Sequence, residues 1–286
     1  MLKAQFKHYA CFLTCVSIVS LVIVSVFSAF VNVTPADAAT SANRWYKVNI
    51  PAEGEAGGWV LANGSDIRLL TAAADGTLFA YAAGLDYTLL KSTDGGLKWS
   101  STGKVRDAIT AIAVSAQNPT IIYYSTTTSV YRSGDSGRSF SSLPTVPGTG
   151  TSHVEITSLA ADNGFIAAAT RNTDSARYGG LYLLDESVVV PSWTDTRIGN
   201  YDVYAVAFPP DYASYKQIIA ITTNETNSYV FSKISTSGWN TFTGPVRFSR
   251  DNSGAAVTIA KSADIAFPVD YSTVADGGEG SFYACK

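Results

Sequence analysis

The stretch KSTDGGLKWS, residues 91–100, decides the fold of this chain, because its pattern returns further along. Residues 91–99 and RSGDSGRSF, residues 132–140, both read Ser-x-Asp-x-Gly-x-x-aromatic, which we call the Asp motif. The two motif serines, Ser92 and Ser133, are 41 residues apart. One four-stranded blade of a β-propeller takes about 40–50 residues. The motif is therefore tied to a structural repeat, and its spacing predicts a propeller.

Short apolar segments, separated by turns rich in Asp, Asn, Gly or Pro, divide the rest of the chain into units of similar length. Each unit is predicted to contain an inner, a second and a third strand and to end with an aromatic residue. The predicted inner strands are residues 67–71, 109–114, 156–160, 203–208 and 265–267. The predicted second strands are residues 77–81, 121–125, 165–170 and 218–222. The predicted third strands are residues 88–91, 130–132, 180–184 and 228–233, and the closing aromatics are Trp99, Phe140, Trp193 and Trp239.

The pattern is β throughout and has no helical period, so we predict an all-β fold. We expect a β-propeller of four-stranded antiparallel blades with Asp-motif turns, about five blades in number, the last one incomplete. The continuous apolar character of the inner strands predicts that they are buried on both faces. Residues 280–286 align with residues 227–233, so we expect the sequence to stop inside a third strand. An unfinished blade exposes a sheet edge. We therefore expect either that the sequence is a fragment of a longer propeller, or that a partner or residues 45–48 complete the last blade.

Residues 1–38 have the features of a targeting segment. A short basic region at residues 3–8 precedes an uncharged apolar run, and Ala-Asp-Ala at residues 36–38 fits a cleavage site. The run is longer than the usual signal core of about 7–15 residues and could span a bilayer, which takes about 20. A cleaved signal peptide and an uncleaved membrane anchor therefore both stay open. Either one predicts that residues 45–286, the propeller, are exported and then secreted or displayed at the cell surface. We expect the cell to be a bacterium.

Composition argues against several classes of function. The net charge is −3 and no basic run follows residue 8, whereas nucleic-acid binding needs clustered Lys and Arg. The exported part has one cysteine, Cys285, and one histidine, His153, so it cannot build a zinc site from several such ligands. We predict no cofactor and no metal. A membrane contact is expected only through the targeting segment, if that segment stays uncleaved.

The Asp motif resembles the Asp-box, or BNR repeat, of sialidases, xyloglucanase-type glycoside hydrolases, Vps10/sortilin receptors and the photosystem II assembly factor family. The resemblance covers two good copies and two eroded ones, roughly residues 60–286 by repeat spacing. It implies a propeller but no single activity, because these families share the fold and differ in what they do. It also implies that the motif turn lies at the outer rim, away from the central site.

The chemistry of the motif residues agrees with a structural turn. A carboxylate can accept hydrogen bonds from nearby backbone N–H groups, and a glycine can adopt a positive φ. The closing aromatic ring re-enters a strand and is expected to be buried. These structural roles are predicted for Ser92, Asp94, Gly96, Trp99, Ser133, Asp135, Gly137 and Phe140.

The sequence does not support a catalytic site of the sialidase type. The resemblance implies three arginines, a Tyr–Glu pair, an Asp acid and an early Arg-Ile-Pro, but Arg68 is followed by Leu-Leu and Arg197 by Ile-Gly. We therefore lean towards a protein that is not an enzyme. If it is one, we expect a glycosidase, which needs two carboxylates about 5–10 Å apart.

One acidic pattern predicts a ligand site. Asp107, Glu155 and Asp202 stand near the start of inner strands at a similar repeat position. The starts of the inner strands face the central opening, where propellers usually bind ligands, so these acids predict a partial carboxylate ring for a cation or a sugar. The alternative is that they are ordinary loop acids that keep the protein soluble. The long segment 170–180 is a second candidate for binding.

The sequence thus favours an exported, non-catalytic propeller that binds a protein or a glycan at the cell surface, or assists assembly there. A glycoside hydrolase of the sialidase or xyloglucanase type, and a protein similar to the photosystem II assembly factor, are the alternatives. A hydrolase would need two carboxylates that face each other across a cleft, and an assembly factor of that kind would be expected to show an arginine patch.

Overall fold

The computed structural model describes residues 66–106, 108–150, 153–241, 244–247, 259, 261–268, 271–273 and 282–285. The regular structure of these residues is β-strand, apart from one four-residue helix, α1 (Tyr212–Tyr215). Each strand pairs, antiparallel, with the strand that precedes or follows it in the sequence. Such an up-and-down order is typical of propeller blades.

Four sheets have four strands each, ordered from the inner to the outer strand as in the sequence. Blade 1 contains β1 (Asp66–Ala72), β2 (Leu78–Ala83), β3 (Leu89–Ser92) and β4 (Ser100–Ser101), and blade 2 contains β5 (Ala111–Val114), β6 (Ile122–Ser125), β7 (Val130–Ser133) and β8 (Ser141–Ser142). Blade 3 contains β9 (Val154–Asp162), β10 (Phe165–Asn172), β11 (Gly180–Asp185) and β12 (Trp193–Asp195), and blade 4 contains β13 (Asp202–Ala207), β14 (Gln217–Thr223), β15 (Ser228–Ile234) and β16 (Val246–Arg247). Blade 5 contains β17 (Asp264–Ala266) and β18 (Tyr283–Cys285).

The inner strands β1, β5, β9, β13 and β17 pack against one another in that order. The predicted fold class is thereby confirmed, since the chain is an all-β propeller with about five blades, of which the fifth has two strands in its described residues. The predicted inner, second and third strands also agree with the observed ones, and no boundary differs by more than two residues.

The final strand lies one place further inward than the sequence predicted. β18 pairs directly with the inner strand β17, with Asp264 opposite Cys285, which is the position of a second strand. The same register joins Asp202, at the start of β13, to Thr223 at the end of β14. The alignment of residues 280–286 with a third strand is therefore wrong. A third strand can join a sheet only through its second strand, and β18 is the segment that pairs with the inner one.

Burial of the inner strands differs from blade to blade. β13 is buried over almost its whole length, as predicted. β1 is mostly exposed, because Leu70 keeps 64% and Ile67 42% of its surface accessible, so the prediction of burial on both faces is wrong for blade 1. β13 lies between the inner strands of two neighbouring blades, whereas β1 packs closely against only one other inner strand, β5, in the described part of the chain.

Side chains from both faces of the second strands hold neighbouring blades together. In β6, Tyr124 packs with Tyr81 and Leu89 of blade 1, and Tyr123 packs with residues of blade 3 such as Ile166. Both tyrosine rings are almost completely buried. Adjacent residues of a strand point to opposite faces, so this Tyr-Tyr pair fills two interfaces. Each ring stabilises its interface by roughly 2–3 kcal/mol.

The described part of the chain contains no helix that is long and apolar enough to cross a membrane. The predicted targeting segment, residues 1–38, lies outside the described residues, and so do residues 45–48, which were expected to contribute a strand to the last blade.

Candidate functional site

Each blade has two ends, which carry different residues. At one end the inner strand begins and a loop joins the second to the third strand, as the register pairs Ala111–Ser125 in blade 2 and Asp202–Thr223 in blade 4 show. We call these ends together the upper face, and the opposite ends the lower face. The upper face also receives the connections that lead from each outer strand to the next inner strand.

Both Asp motifs lie on the lower face, where the third strands end. The sheet register places Ser92 opposite Leu78 and Ser133 opposite Ile122, the first residues of β2 and β6. The motif residues are therefore at the other end of their blades from the starts of the inner strands, where the predicted carboxylate ring would lie.

In the first Asp motif the serine and the aspartate bind each other and the turn between them. Ser92 Oγ donates to Asp94 Oδ1 over 2.9 Å and accepts the backbone N–H of Gly96 over 2.9 Å. Asp94 Oδ1 also accepts the backbone N–H of Lys98 over 2.8 Å. The hydrogen bond from Lys98 is the main reason that the pKa of Asp94 is lowered. Gly96 has φ +90°, a conformation that residues with a Cβ rarely adopt.

The second Asp motif repeats these contacts and adds one. Ser133 Oγ donates to Asp135 Oδ1 over 2.7 Å and accepts the backbone N–H of Gly137 over 2.8 Å. Asp135 accepts both the hydroxyl and the backbone N–H of Ser139, at 2.6 and 2.9 Å. These bonds, first of all the one from the Ser139 hydroxyl, lower the pKa of Asp135. A carboxylate so strongly held as an anion suits a turn and is a poor proton donor.

The aromatic residues that close the two motifs differ in burial. Phe140 is half-buried and packs edge-on against Tyr124, with 4.9 Å between ring centroids. Trp99 remains 37% exposed, and its Nε1 donates to the carbonyl oxygen of Gly96 in its own turn over 3.0 Å. The expectation that Trp99 is a buried anchor is therefore wrong.

The closing tryptophans of later blades show why the Trp99 ring stays partly exposed. Trp193 of blade 3 donates from Nε1 to the carbonyl oxygen of Pro144 over 2.8 Å, and Trp239 of blade 4 donates to that of Thr196 over 3.0 Å. Each of these indoles reaches the chain segment that leaves the preceding blade. Trp99 has no preceding blade among the described residues, so its indole N–H bonds back to its own turn.

Of the acids predicted to form a carboxylate ring, Glu155 lies at the upper face in an ion pair. Its Oε2 accepts a hydrogen bond from Arg171 Nη2 over 2.7 Å, and the two residues are direct partners of the β9–β10 ladder. About a third of each side chain is exposed. Burial alone would lower the pKa of Arg171, but hydrogen bonds to Glu155 and to the Tyr204 hydroxyl raise it. The guanidinium is therefore a fixed cation between blades 3 and 4.

Asp202 is buried and holds a loop of the neighbouring blade. Only 3% of its surface is exposed, and its Oδ1 accepts the backbone N–H groups of Asn172 and Gly179, each over 2.8 Å. These residues stand at the two ends of the loop 173–178 in blade 3. Burial raises the pKa of Asp202, and the two N–H donors and the charge of Arg171 partly offset that rise.

Asp107 lies outside the described residues. Glu155 and Asp202 are brought together by Arg171, which pairs with the first and acts electrostatically on the second. The carboxylate ring stays a prediction, with two of its three members engaged by protein groups. Within the described residues, no group of three or more His, Cys, Asp and Glu side chains is arranged to hold a metal ion.

A cleft of about 700 Å³ lies between blades 1 and 2, beside the connection that leads into β5. Its lining consists of Lys104, Val105, Arg106, Tyr124, Tyr131 and Phe140. The first three residues belong to the connection, and the three aromatic rings come from blade 2. The volume is that of an ordinary small-ligand site, about 300–1,000 Å³.

The aromatic wall of this cleft is held in place by its own contacts. Tyr124 stacks on Tyr131, with 4.8 Å between ring centroids and 12° between planes, and Phe140 forms a T-shaped pair with Tyr124. The Tyr124 hydroxyl accepts the backbone N–H of Arg106 over 3.0 Å, which ties the connection to the wall. Since Tyr124 is buried, the accessible ring surface belongs to Tyr131 and Phe140, which are both half-buried.

The rim of the cleft is cationic. Lys104 and Arg106 are exposed, and neither takes part in the ion pairs that join other residues of the described chain. The six residues that line the cleft include no carboxylate. Among the described residues, the cleft therefore combines an aromatic wall with two positive charges that form no ion pair.

This cleft was not predicted from the sequence, although Phe140 was named for its role in a motif. Lys104, Arg106 and Tyr131 belong to no motif, and the connection must fold against blade 2 before they share a cavity. One signal was present in the sequence. The chain has only 20 Lys and Arg residues, and two of them stand within three positions in the connection that leads to β5.

No model of a known protein family matches this chain, and no curated protein matches it. Solved structures similar to it include the GH74 xyloglucanase from Xanthomonas campestris, with 18% identity over 59% of this chain and 29% of that one, and a TM-score of 0.46. YCF48 bound to a D1 peptide has 15% identity over 61% of this chain and 52% of that one, with a TM-score of 0.40. Kuenenia stuttgartiensis hydrazine synthase has 16% identity over 69% and 51%, with a TM-score of 0.45. The chain thus spans 29% to 52% of the length of these structures.

Proposed function

We propose that this chain is an exported β-propeller that binds a ligand in the cleft between blades 1 and 2 and does not catalyse a reaction there. The observation that carries the proposal is the composition of the cleft, with Tyr131 and Phe140 as its accessible wall and Lys104 and Arg106 at its rim. Apolar and aromatic surface with a few convergent polar groups is the usual make-up of a ligand site.

The partners of the upper-face carboxylates support binding over hydrolysis. A glycosidase needs two carboxylates across a cleft, one of which must be able to give up or take a proton. Glu155 is paired with Arg171, and Asp202 is buried against two backbone N–H groups. Carboxylates held in this way are poorly placed to protonate a glycosidic oxygen.

The predicted targeting segment supports a ligand that lies outside the cell. A binding module of this kind would meet a glycan or a protein at the cell surface, either as part of a larger surface assembly or by itself. The described chain supplies a scaffold for this role, because loops and connections of neighbouring blades gather at the upper face and are held by contacts between blades.

The proposal can be tested with the purified full-length chain on glycan and peptide arrays. We expect binding to at least one component, and we expect Tyr131→Leu to weaken it by about tenfold, the effect of losing one important contact residue. Trp99→Leu is the matched control, because it removes an exposed aromatic ring from the lower face. Absence of binding to any component, or equal binding by the Tyr131 variant, would contradict the proposal.

The proposal that the chain is not a glycosidase has its own test. Purified chain incubated with nitrophenyl glycosides should release no nitrophenol above the uncatalysed rate. Turnover that disappears on substitution of Glu155 or Asp202 would show that the chain is a glycosidase.

A further inference from the structure

We infer that the cleft between blades 1 and 2 is selective for an anionic glycan, a polysaccharide whose sugars carry carboxylate or phosphate groups. This inference rests on the proposed function, because it names the ligand class of the same cleft. It depends on the charge state of the rim, the spacing of its two cations and the shape of the aromatic wall.

The two rim cations form no ion pair within the described residues, in contrast to four of the arginines. Arg68, Arg132, Arg171 and Arg177 each stand within ion-pair distance of a carboxylate. Lys104 and Arg106 belong to none of these pairs, although the chain as a whole is acidic, with a net charge of −3. Two exposed cations close together, with no ion-pair partner in the described part of the chain, produce a local positive potential, which attracts anions and repels cationic ligands.

The spacing of the cations suits an acidic group. Residues 104–106 form no helix, and the Cα atoms of residues two positions apart lie at most about 7 Å from each other. Lys104 and Arg106 both line the cleft, with the apolar Val105 between them. A carboxylate or phosphate can therefore bind the Arg106 fork with two parallel hydrogen bonds while Lys104 adds a point charge.

The aromatic wall favours a glycan over an acidic peptide. Tyr131 is backed by the stacked ring of Tyr124, so it offers a fixed flat surface to the apolar face of a sugar ring. Extended peptides usually bind by adding a strand to a sheet edge. The outer strands nearest to this cleft, β4 and β8, have two residues each and offer little edge for such pairing.

The decisive experiment compares charged and neutral forms of the same polymer. Binding of the purified full-length chain to polygalacturonate is measured by calorimetry and compared with binding to its methyl ester, which has the same backbone without the charge. A phosphate-bearing mannan and the same mannan after phosphatase treatment form the second pair. We expect at least one charged form to bind about tenfold more tightly than its neutral form, the size expected for a hydrogen bond to a charged group.

Charge variants test whether the rim cations cause the preference for the charged polymer. The double variant Lys104→Gln with Arg106→Gln should remove the difference between charged and neutral polymer. Lys98→Gln with Arg197→Gln is the matched control, because both residues are exposed, neither lines the cleft and the change in net charge is the same. Equal melting temperatures would show that both double variants are folded. Added salt should weaken binding of the charged polymer by the wild type, since it screens exposed charges.

Each outcome separates the inference from the proposed function on which it rests. Tight binding of polygalacturonate identifies the carboxylate as the group bound, and tight binding of the phosphomannan identifies the phosphate. Equal affinity for charged and neutral polymers, or an unchanged preference in the Lys104 and Arg106 variant, would overturn the inference and leave the binding function in place. Poly-glutamate that binds as tightly as the best polysaccharide would also overturn it, in favour of an acidic peptide. No binding on any array would overturn both.

Discussion

Asp202 of blade 4 closes a loop that belongs to blade 3, because its Oδ1 accepts the backbone N–H of Gly179 over 2.8 Å. The same oxygen accepts the N–H of Asn172 at the other end of the loop, so one buried carboxylate ties both ends together. Position 179 has to be a glycine, since a Cβ there would lie 2.2 Å from the carbonyl oxygen of Thr170. The segment that the sequence marked as a second candidate for binding is therefore held by the next blade.

Loss of the Asp202 carboxylate should destabilise the protein. We expect Asp202→Ala to lower the free energy of unfolding by about 2–4 kcal/mol, because two backbone N–H groups lose their acceptor in a buried place. Asp202→Asn keeps an oxygen at the same position and should cost less. Urea denaturation measures both effects, and hydrogen exchange should become faster at the amides of Asn172 and Gly179 in the alanine variant. An alanine variant as stable as the wild type would refute the structural role.

The fold was predictable from the sequence because its signals are local. The Ser, Asp and Gly of each motif bind one another within a few residues, so the turn repeats wherever the residues repeat. Strand positions followed from the apolar segments between turns. The place of β18 was not predictable in this way, because similarity of a short apolar segment to another strand does not reveal which strand it pairs with.

The candidate sites depend on contacts between blades, which the pattern did not contain. Asp202 was correctly placed at the start of an inner strand, but whether its carboxylate faces solvent or a loop depends on Asn172 and Gly179 of another blade. The aromatic cleft likewise joins Lys104 and Arg106 to rings of the following blade. Residues that come together only through packing leave no spacing signature along one chain.

The two motif glycines should respond differently to the same substitution. Gly96 and Gly137 have φ +90° and φ +84°, so an alanine at either position adopts a left-handed conformation at a cost of roughly 1–2 kcal/mol. At Gly137 the new Cβ would also lie 3.2 Å from Thr102 Cγ2, whereas the nearest atom at Gly96 is 3.6 Å away. Gly137→Ala should therefore lower the melting temperature more than Gly96→Ala. The reverse order would show that crowding by the neighbouring blade is not important.

The ion pair of Glu155 and Arg171 should contribute modestly to stability. Its side chains are about one-third exposed, so solvent screens the pair, and we expect a coupling energy of about 0.5–1 kcal/mol. A double-mutant cycle of Glu155→Gln and Arg171→Gln, measured by urea denaturation at pH 7, gives this value. A coupling energy near zero would mean that Arg171 is held by its other neighbours, Tyr204 and Asp202.

The predicted carboxylate ring of Asp107, Glu155 and Asp202 can be tested through binding of Ca²⁺. If the ring binds a cation, single substitutions to the amide should each weaken Ca²⁺ binding in calorimetry, because each removes one negative charge. Glu155→Gln in the Arg171→Gln background is the most informative combination, since it separates the acid from its internal partner. Ca²⁺ binding that is absent, or unaffected by all three substitutions, would rule out the prediction that the ring binds a cation.

A buried carboxylate on the lower face should make stability depend on pH. Asp162, at the end of β9, is 5% exposed, and its Oδ1 accepts no hydrogen bond from the described residues. Burial raises the pKa of Asp162, and the backbone N–H of Asn163 and the charge of Lys216 only partly offset this. The Lys216 ammonium is itself engaged by aromatic rings, at 4.9 Å from the centroid of Phe165 and 5.0 Å from that of Tyr212.

Asp162→Asn is expected to raise the free energy of unfolding at pH 7 by about 1 kcal/mol, because it removes a charge that burial disfavours. A folded-state pKa above the unfolded value means that the folded protein holds the proton more strongly. The wild type therefore loses stability relative to the variant as pH rises through that pKa, and the two should converge towards pH 4. Asp185→Asn is the matched control, since Asp185 also pairs with Phe165 in the sheet register and the Ser187 hydroxyl lowers its pKa. That variant should lose stability at pH 7 and recover towards acid, and a pH-independent effect of Asp162→Asn would exclude the buried charge as its cause.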